Sequence, residues 1–152
     1  MIPGVLAAMQ KLRAAARGPG VPATNAGLVD VRASQIDGCS VCLDLHSREL
    51  KAAVSDERIF MVGASREAPY FEDAERAPLA LAESATPLAD SADPVPDEVW
   101  EQAVSHPVET QLAGLVMAIA TISAFNRLNA ATSSGDRITQ HIEPTEPVSK
   151  AA

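Results

Sequence analysis

Nowhere in this chain do apolar and polar residues alternate over a run long enough to suggest a β-strand. Apolar residues instead recur every three or four positions between breaks rich in Gly and Pro, the spacing of amphipathic helices. Gly18-Pro19-Gly20, Asp37-Gly38, Pro69-Tyr70-Phe71 and Asp93-Pro94-Val95-Pro96 supply those breaks. This punctuation predicts an all-α single domain of about six to seven helices. Composition points the same way: 47% of the residues are apolar yet only 3% are aromatic. Much of the apolar content is alanine and leucine, both strong helix formers.

The expected helices cover residues 2–16, 25–36, 39–54, 57–63, 74–88 and 108–131, with a short one starting at Pro96 or Asp97. Asp73 is placed to cap the fifth, and Gly38 suits the left-handed turn that closes the second. The last helix is the most apolar and should be wrapped by the others, with Trp100 as a packing anchor. Beyond Ser133 the chain turns polar and proline-bearing, which predicts a flexible tail. The expected organisation is an N-terminal helix and linker (1–20), the main domain (21–132) and the tail (133–152).

A formal charge of -8 argues against a nucleic-acid partner or an anionic membrane surface. The apolar run over residues 112–122 is too short to span a bilayer, and no secretory leader is recognisable. A cytoplasmic location is therefore expected. In a reducing compartment, a close cysteine pair points to catalysis or metal binding rather than a structural staple.

That pair is Cys39-Ser-Val-Cys42, followed by Leu-Asp-Leu-His46, and these are the only cysteines present. On a helix, positions i, i+3 and i+7 share a face, so two thiols and an imidazole become neighbours. A helix starting at Cys39 would favour thiolates in its first turn and lower their pKa values. A peroxide would convert such a thiolate to a sulfenic acid, which the second thiol would condense with to form a disulfide. His46 would accept or relay the proton.

Other readings stand beside this one. The cysteines can be a buried reduced pair that packs as small hydrophobes. A structural zinc site needs four ligands, and Cys39, Cys42 and His46 supply three, with neither His106 nor His141 an evident fourth. A thioredoxin-type site would follow a strand, which this chain lacks. His106, beside Pro107, reads as a local cap, and His141 falls in the expected tail. Asp44, Arg48 and Glu49 read as a solvated face. No metal and no cofactor are expected.

The segment from Arg32-Ala-Ser-Gln-Ile-Asp-Gly-Cys39 through Cys42 to His46 resembles the signature of the AhpD-like alkylhydroperoxidases, within the carboxymuconolactone decarboxylase superfamily. The resemblance continues through Arg66-Glu-Ala-Pro-Tyr-Phe71, Glu75-Arg76, Leu79-Ala-Leu-Ala-Glu83 with Thr86, and Ile122-Ser-Ala-Phe-Asn-Arg-Leu128, covering residues 20–131. It implies an all-helical fold assembling into dimers, trimers or hexamers. It also implies hydroperoxide reduction, with electrons returned by a dithiol or lipoyl-type protein. Carried over, Cys42 is the attacking thiol, Cys39 the resolving one and His46 part of the proton relay.

The pattern is not complete. A relay glutamate is usual about three turns before the first cysteine, and that position is Gly27. Asp30 is the nearest acid, a relay candidate one turn later, with a shorter side chain expected to point elsewhere. A histidine usual before the second cysteine is Val41, and a tryptophan usual before the Arg-Glu-Ala-Pro stretch is Ser65. Losing a positioned acid–base group costs typically ~10²–10⁴-fold in rate, so weakened peroxidase activity is expected. Two alternatives remain: a non-catalytic oligomer with a redox-sensing or structural disulfide, and a decarboxylase-type member that does not depend on the cysteines. Alanine-rich helix faces give a separate physical motive for self-assembly.

Overall fold

The computed structural model describes residues 4–18, 20–90, 92–105 and 109–132, and all regular structure among them is helical. In order these are α1 (Val5–Ala16), α2 (Ala23–Ile36), α3 (Ser40–Leu50), α4 (Asp56–Phe60), α5 (Asp73–Ala85), α6 (Asp97–Ser105) and α7 (Glu109–Ala131). Short 3₁₀ turns occupy Met61–Ala64 and Leu88–Asp90. His106, His141 and the expected tail lie outside the described residues.

Helix α2 is the centre, packed by α3, α5 and α7. Its residues Ala26 to Val31 are all buried, whichever way they face, as befits a helix surrounded on every side. One core lies under α3 and α4, where Leu28, Val31, Leu50, Ile59, Val62, Phe71 and Leu79 meet. A second joins Val29 to Leu81, Leu112, Leu115 and Ile119 of α5 and α7.

Helix α7 corrects the expectation that the longest apolar stretch is too short for a bilayer. Thr110–Ala131 runs 22 residues and contains an 18-residue window with a mean hydropathy of 1.3, enough to cross by length and composition. Here it packs on α1 and α2, with Leu112, Leu115, Ala118, Ile119 and Ile122 buried. Only 39% of the apolar window is buried, and Val116, Met117 and Leu128 are exposed, so the other helices cover one side of α7 rather than wrapping it as expected.

The sequence lead-in Arg32-Ala-Ser-Gln35 and the later matching segments turn out to be clamps between helices. Arg32 Nε donates to Glu83 Oε1 at 2.8 Å, tying α2 to α5, and Arg66 reaches the same carboxylate. The Arg76 guanidinium donates to the carbonyls of Ser65, Arg66, Ala68 and Phe71, which holds the whole loop before α5. Ser34 Oγ donates to the Asp30 carbonyl and lies 3.3 Å from Asn126 Oδ1, while Asn126 Nδ2 donates to Asp37 at 2.9 Å. In this way α7 is pinned to the end of α2.

Two local details differ from expectation. Glu72, not Asp73, caps α5, and the Glu75 carboxylate accepts from the Glu72 amide at 3.1 Å, half of a capping box. Pro78 lies inside α5 and cannot donate to the carbonyl of Ala74, but Asn25 Nδ2 donates there at 3.1 Å.

Helix α1 lies against α7 where Gly114 leaves room. A Cβ there would overlap Val21 Cγ2 and come within 2.9 Å of the Ala16 carbonyl oxygen. Gly114→Ala is therefore expected to destabilise by about 1–2 kcal/mol despite alanine's better helix propensity. Urea unfolding would show it; a stabilised variant would mean that α1 does not pack this closely.

Candidate active site

Helix α2 ends in a full Schellman motif: Gly38 adopts φ +66, its amide bonds to Gln35, and the Cys39 amide bonds to Ser34 at 3.0 Å. The turn delivers Cys39 directly as the N-cap of α3, one residue outside the expected start. Its Sγ accepts from the Cys42 amide at 3.4 Å. Cys42 is therefore three residues into the helix, beneath its partner. Both thiols are free and buried, packed with Ala33 and Ile122. Asn129 of α7 donates to Cys42 Sγ at 3.1 Å.

An acidic thiol at Cys42 is not what this arrangement produces. Burial pushes the Cys42 thiol up to about 12, its hydrogen bond with Cys39 adds to the push, and the Asn129 donor opposes it. The amide expected to favour charge at Cys42 is spent on the Cys39 sulfur, and burial outweighs the helix dipole. At neutral pH Cys42 is a thiol. Its alkylation by iodoacetamide is expected to rise roughly tenfold per pH unit across the neutral and mildly alkaline range. Peptide-resolved mass spectrometry would measure this, and a plateau near neutrality would contradict it.

A buried polar cluster lies one turn further on. His46 is buried on α3, and its Nδ1 lies 3.1 Å from Glu49 Oε2, 3.1 Å from Arg13 Nη2 and 3.7 Å from Asp30 Oδ2. Asp30 comes from the core of α2 and is ion-paired by Arg17, with Arg13 Nη2 at 3.5 Å. Burial raises the Asp30 pKa, against the pull of Arg17, His46 and Arg13. Glu49 is also pushed up by burial, but hydrogen bonds from His46 and Arg13 outweigh this and hold it below the ordinary carboxylate range. Nδ1 thus sits between a guanidinium and carboxylates, and the tautomer decides whether it accepts from Arg13 or donates to Glu49.

This geometry corrects the expected direction of Asp30, which turns towards His46. Gly27 is tightly covered: a Cβ there would lie 2.8 Å from Leu50 Cδ1, so a side chain at this position would have to displace Leu50 in the core. Residues 27 and 30 are on neighbouring turns of α2, so an acid still reaches the histidine.

Arg13, Arg17, Glu49 and Asn129 were not among the sequence candidates. Arg13 lies on α1 and Arg17 caps its end, in a part of the chain that the sequence assigns to a separate segment, although their i, i+4 spacing is a signal. Glu49 reads as part of a solvated face, and its side chain is indeed 43% exposed. Asn129 follows Asn126 near the end of the most apolar helix, a legible hint of a buried polar partner. Among the described residues, no three His, Cys, Asp or Glu side chains converge as a metal site.

Comparison with known proteins places these features. Residues 3–84 match the carboxymuconolactone decarboxylase family, a span that includes α1. The uncharacterised protein YdfG of Bacillus subtilis is 32% identical over 109 residues, 71% of this chain and 73% of its own. A protein of unknown function from Agrobacterium tumefaciens, named as a candidate AhpD antioxidant defence protein, superposes with a TM-score of 0.80 at 27% identity, over 87% of this chain and 90% of that one. The debrominase Bmp8 shares the fold at a TM-score of 0.76 and 19% identity, over 86% of this chain and 70% of its own. With the family match spanning more than half its length, the chain belongs to the carboxymuconolactone decarboxylase family, in the AhpD-like form.

Proposed function

We propose that this protein is a thiol-dependent reductase of hydroperoxides. The observation that carries the reading is the juxtaposition of two free, buried thiols at the start of α3 with a buried histidine–carboxylate–arginine cluster one turn away. Cys42 loses its proton through His46 and attacks the distal oxygen of the hydroperoxide. The O–O bond breaks, the alcohol leaves with a proton, and Cys42 becomes a sulfenic acid. Cys39 then attacks Cys42 sulfur, releasing water and leaving a disulfide. A dithiol or lipoyl-type protein returns two electrons and two protons to restore both thiols.

The relay needs His46 with Nδ1–H donating to Glu49 or Asp30 and Nε2 free to accept, the tautomer that carboxylate neighbours favour. Asp30 takes the part of the glutamate that Gly27 lacks. A reducing, cytoplasmic setting is part of this reading, since a close cysteine pair there serves chemistry rather than a structural staple. The exposed groove lined by Leu12 and Met117, where α1 crosses α7, supports assembly with further copies.

The raised pKa of Cys42 counts against fast turnover, and the closeness of the two free thiols supports a second reading, a reversible dithiol switch without turnover. Hydroperoxide consumption with dithiothreitol as reductant separates the two. The reductase reading expects repeated turnover in the wild type and none in Cys42→Ser. Equal consumption by both removes it, and a single equivalent consumed leaves the switch.

A further inference from the structure

We infer that the cleft between α5, α6 and α7 binds a small, largely apolar molecule bearing one hydrogen-bonding group, at a site separate from the thiols. The cleft encloses about 300 Å³, the lower end of the range for ligand pockets. Leu81, Ile119 and Ser123 form its buried floor, Val95 and Val116 its sides, and Trp100 its mouth. Trp100 is 44% exposed, so it is not the core anchor that the sequence suggests. The walls are apolar throughout except at one point.

That point is Ser123. The residue is only 6% exposed, and its Oγ is buried with no hydrogen-bond partner. A buried hydroxyl in a helix ordinarily bonds back to the carbonyl four residues earlier. Thr121, two positions away on α7, does so, its Oγ1 donating to Met117 O at 2.6 Å. Ser123 forgoes that bond while facing the cleft. Buried polar groups are rarely left unpaired, and a partner arriving from the cleft satisfies this one. A single deep hydroxyl in a narrow apolar cleft is the pattern that orients a small ligand. The thiols meet α7 through other residues, Ile122 and Asn129.

Trp100 is the only tryptophan in the chain, so its emission reports this cleft alone. Benzyl alcohol and ethylbenzene, equal in size and differing by one hydroxyl, are titrated against the full chain with excitation selective for tryptophan. Both are expected to shift Trp100 emission saturably. Ser123→Ala should weaken benzyl alcohol by roughly fivefold and leave ethylbenzene unchanged, the loss of one hydrogen bond. Ala120→Leu, on the exposed lip of the cleft, should abolish binding of both without altering the fold. No saturable shift with either probe overturns the inference, as does equal weakening of both by Ser123→Ala. So does a blue-shifted emission that depends on protein concentration without any probe, because a second copy then fills the cleft.

Discussion

Replacing Arg17 by alanine is expected to lower the unfolding free energy by about 3 kcal/mol. The reason is Asp30, whose carboxylate is almost wholly buried in α2 and is paired by Arg17. Removing one partner of a buried pair leaves an uncompensated charge, which costs ~3–5 kcal/mol. The lower end applies because Arg13 remains 3.5 Å away. For a domain of this size that is about 6–12 °C in melting temperature. Adding Asp30→Asn to Arg17→Ala should restore much of the loss, since the orphaned charge goes with it.

The pH dependence carries the sign of the Asp30 shift. Burial raises its folded pKa above the ordinary value, so the folded state holds the proton more tightly than the unfolded chain. The cost of the charged form is present above the folded pKa and relieved as pH falls through it towards the ordinary carboxylate range. The deficit of Arg17→Ala should therefore shrink on acidification. A pH-independent deficit would mean that Arg17 contributes packing rather than charge compensation.

His46→Ala is expected to slow oxidation of Cys42 by hydroperoxide ~10²–10⁴-fold at neutral pH. Because the Cys42 thiol is pushed up to about 12, almost no thiolate exists beforehand, and the rate rests on a base that removes the proton during attack. Raising the pH should narrow the gap, since hydroxide then generates the thiolate without help. His46 is buried, so its loss can also perturb packing; His46→Gln retains a polar side chain of similar reach and should show the same kinetic defect with less effect on melting. Equal rates in His46→Gln and wild type would remove the relay.

Helical order and most boundaries were readable because they rest on local signals. Gly38 announces the end of α2, and Cys39 follows as a cap because the Schellman turn leaves nowhere else for it. The family signature led to Cys39, Cys42 and His46 by spacing along one helix. What was not legible depends on distance in space. The site is completed by Arg13 of α1, by Arg17 at its C-cap and by Asn129 of α7, elements far from α3 in sequence that meet around α2. The direction of Asp30 was misjudged for the same reason: a side chain's reach depends on which neighbours exclude it, and Leu50 closes the Gly27 side while the arginines draw Asp30 towards His46. The acidity of Cys42 failed because helix-terminus arguments ignore burial, which is set by α7 lying across the thiols.

The most direct measurement is mass spectrometry of the reduced protein after one equivalent of hydroperoxide. The account predicts an intramolecular Cys39–Cys42 disulfide in the wild type and, in Cys39→Ser, a sulfenic acid trapped by dimedone on Cys42. Two thiols left unmodified while the hydroperoxide persists, or a sulfenic acid that forms first on Cys39, would contradict it.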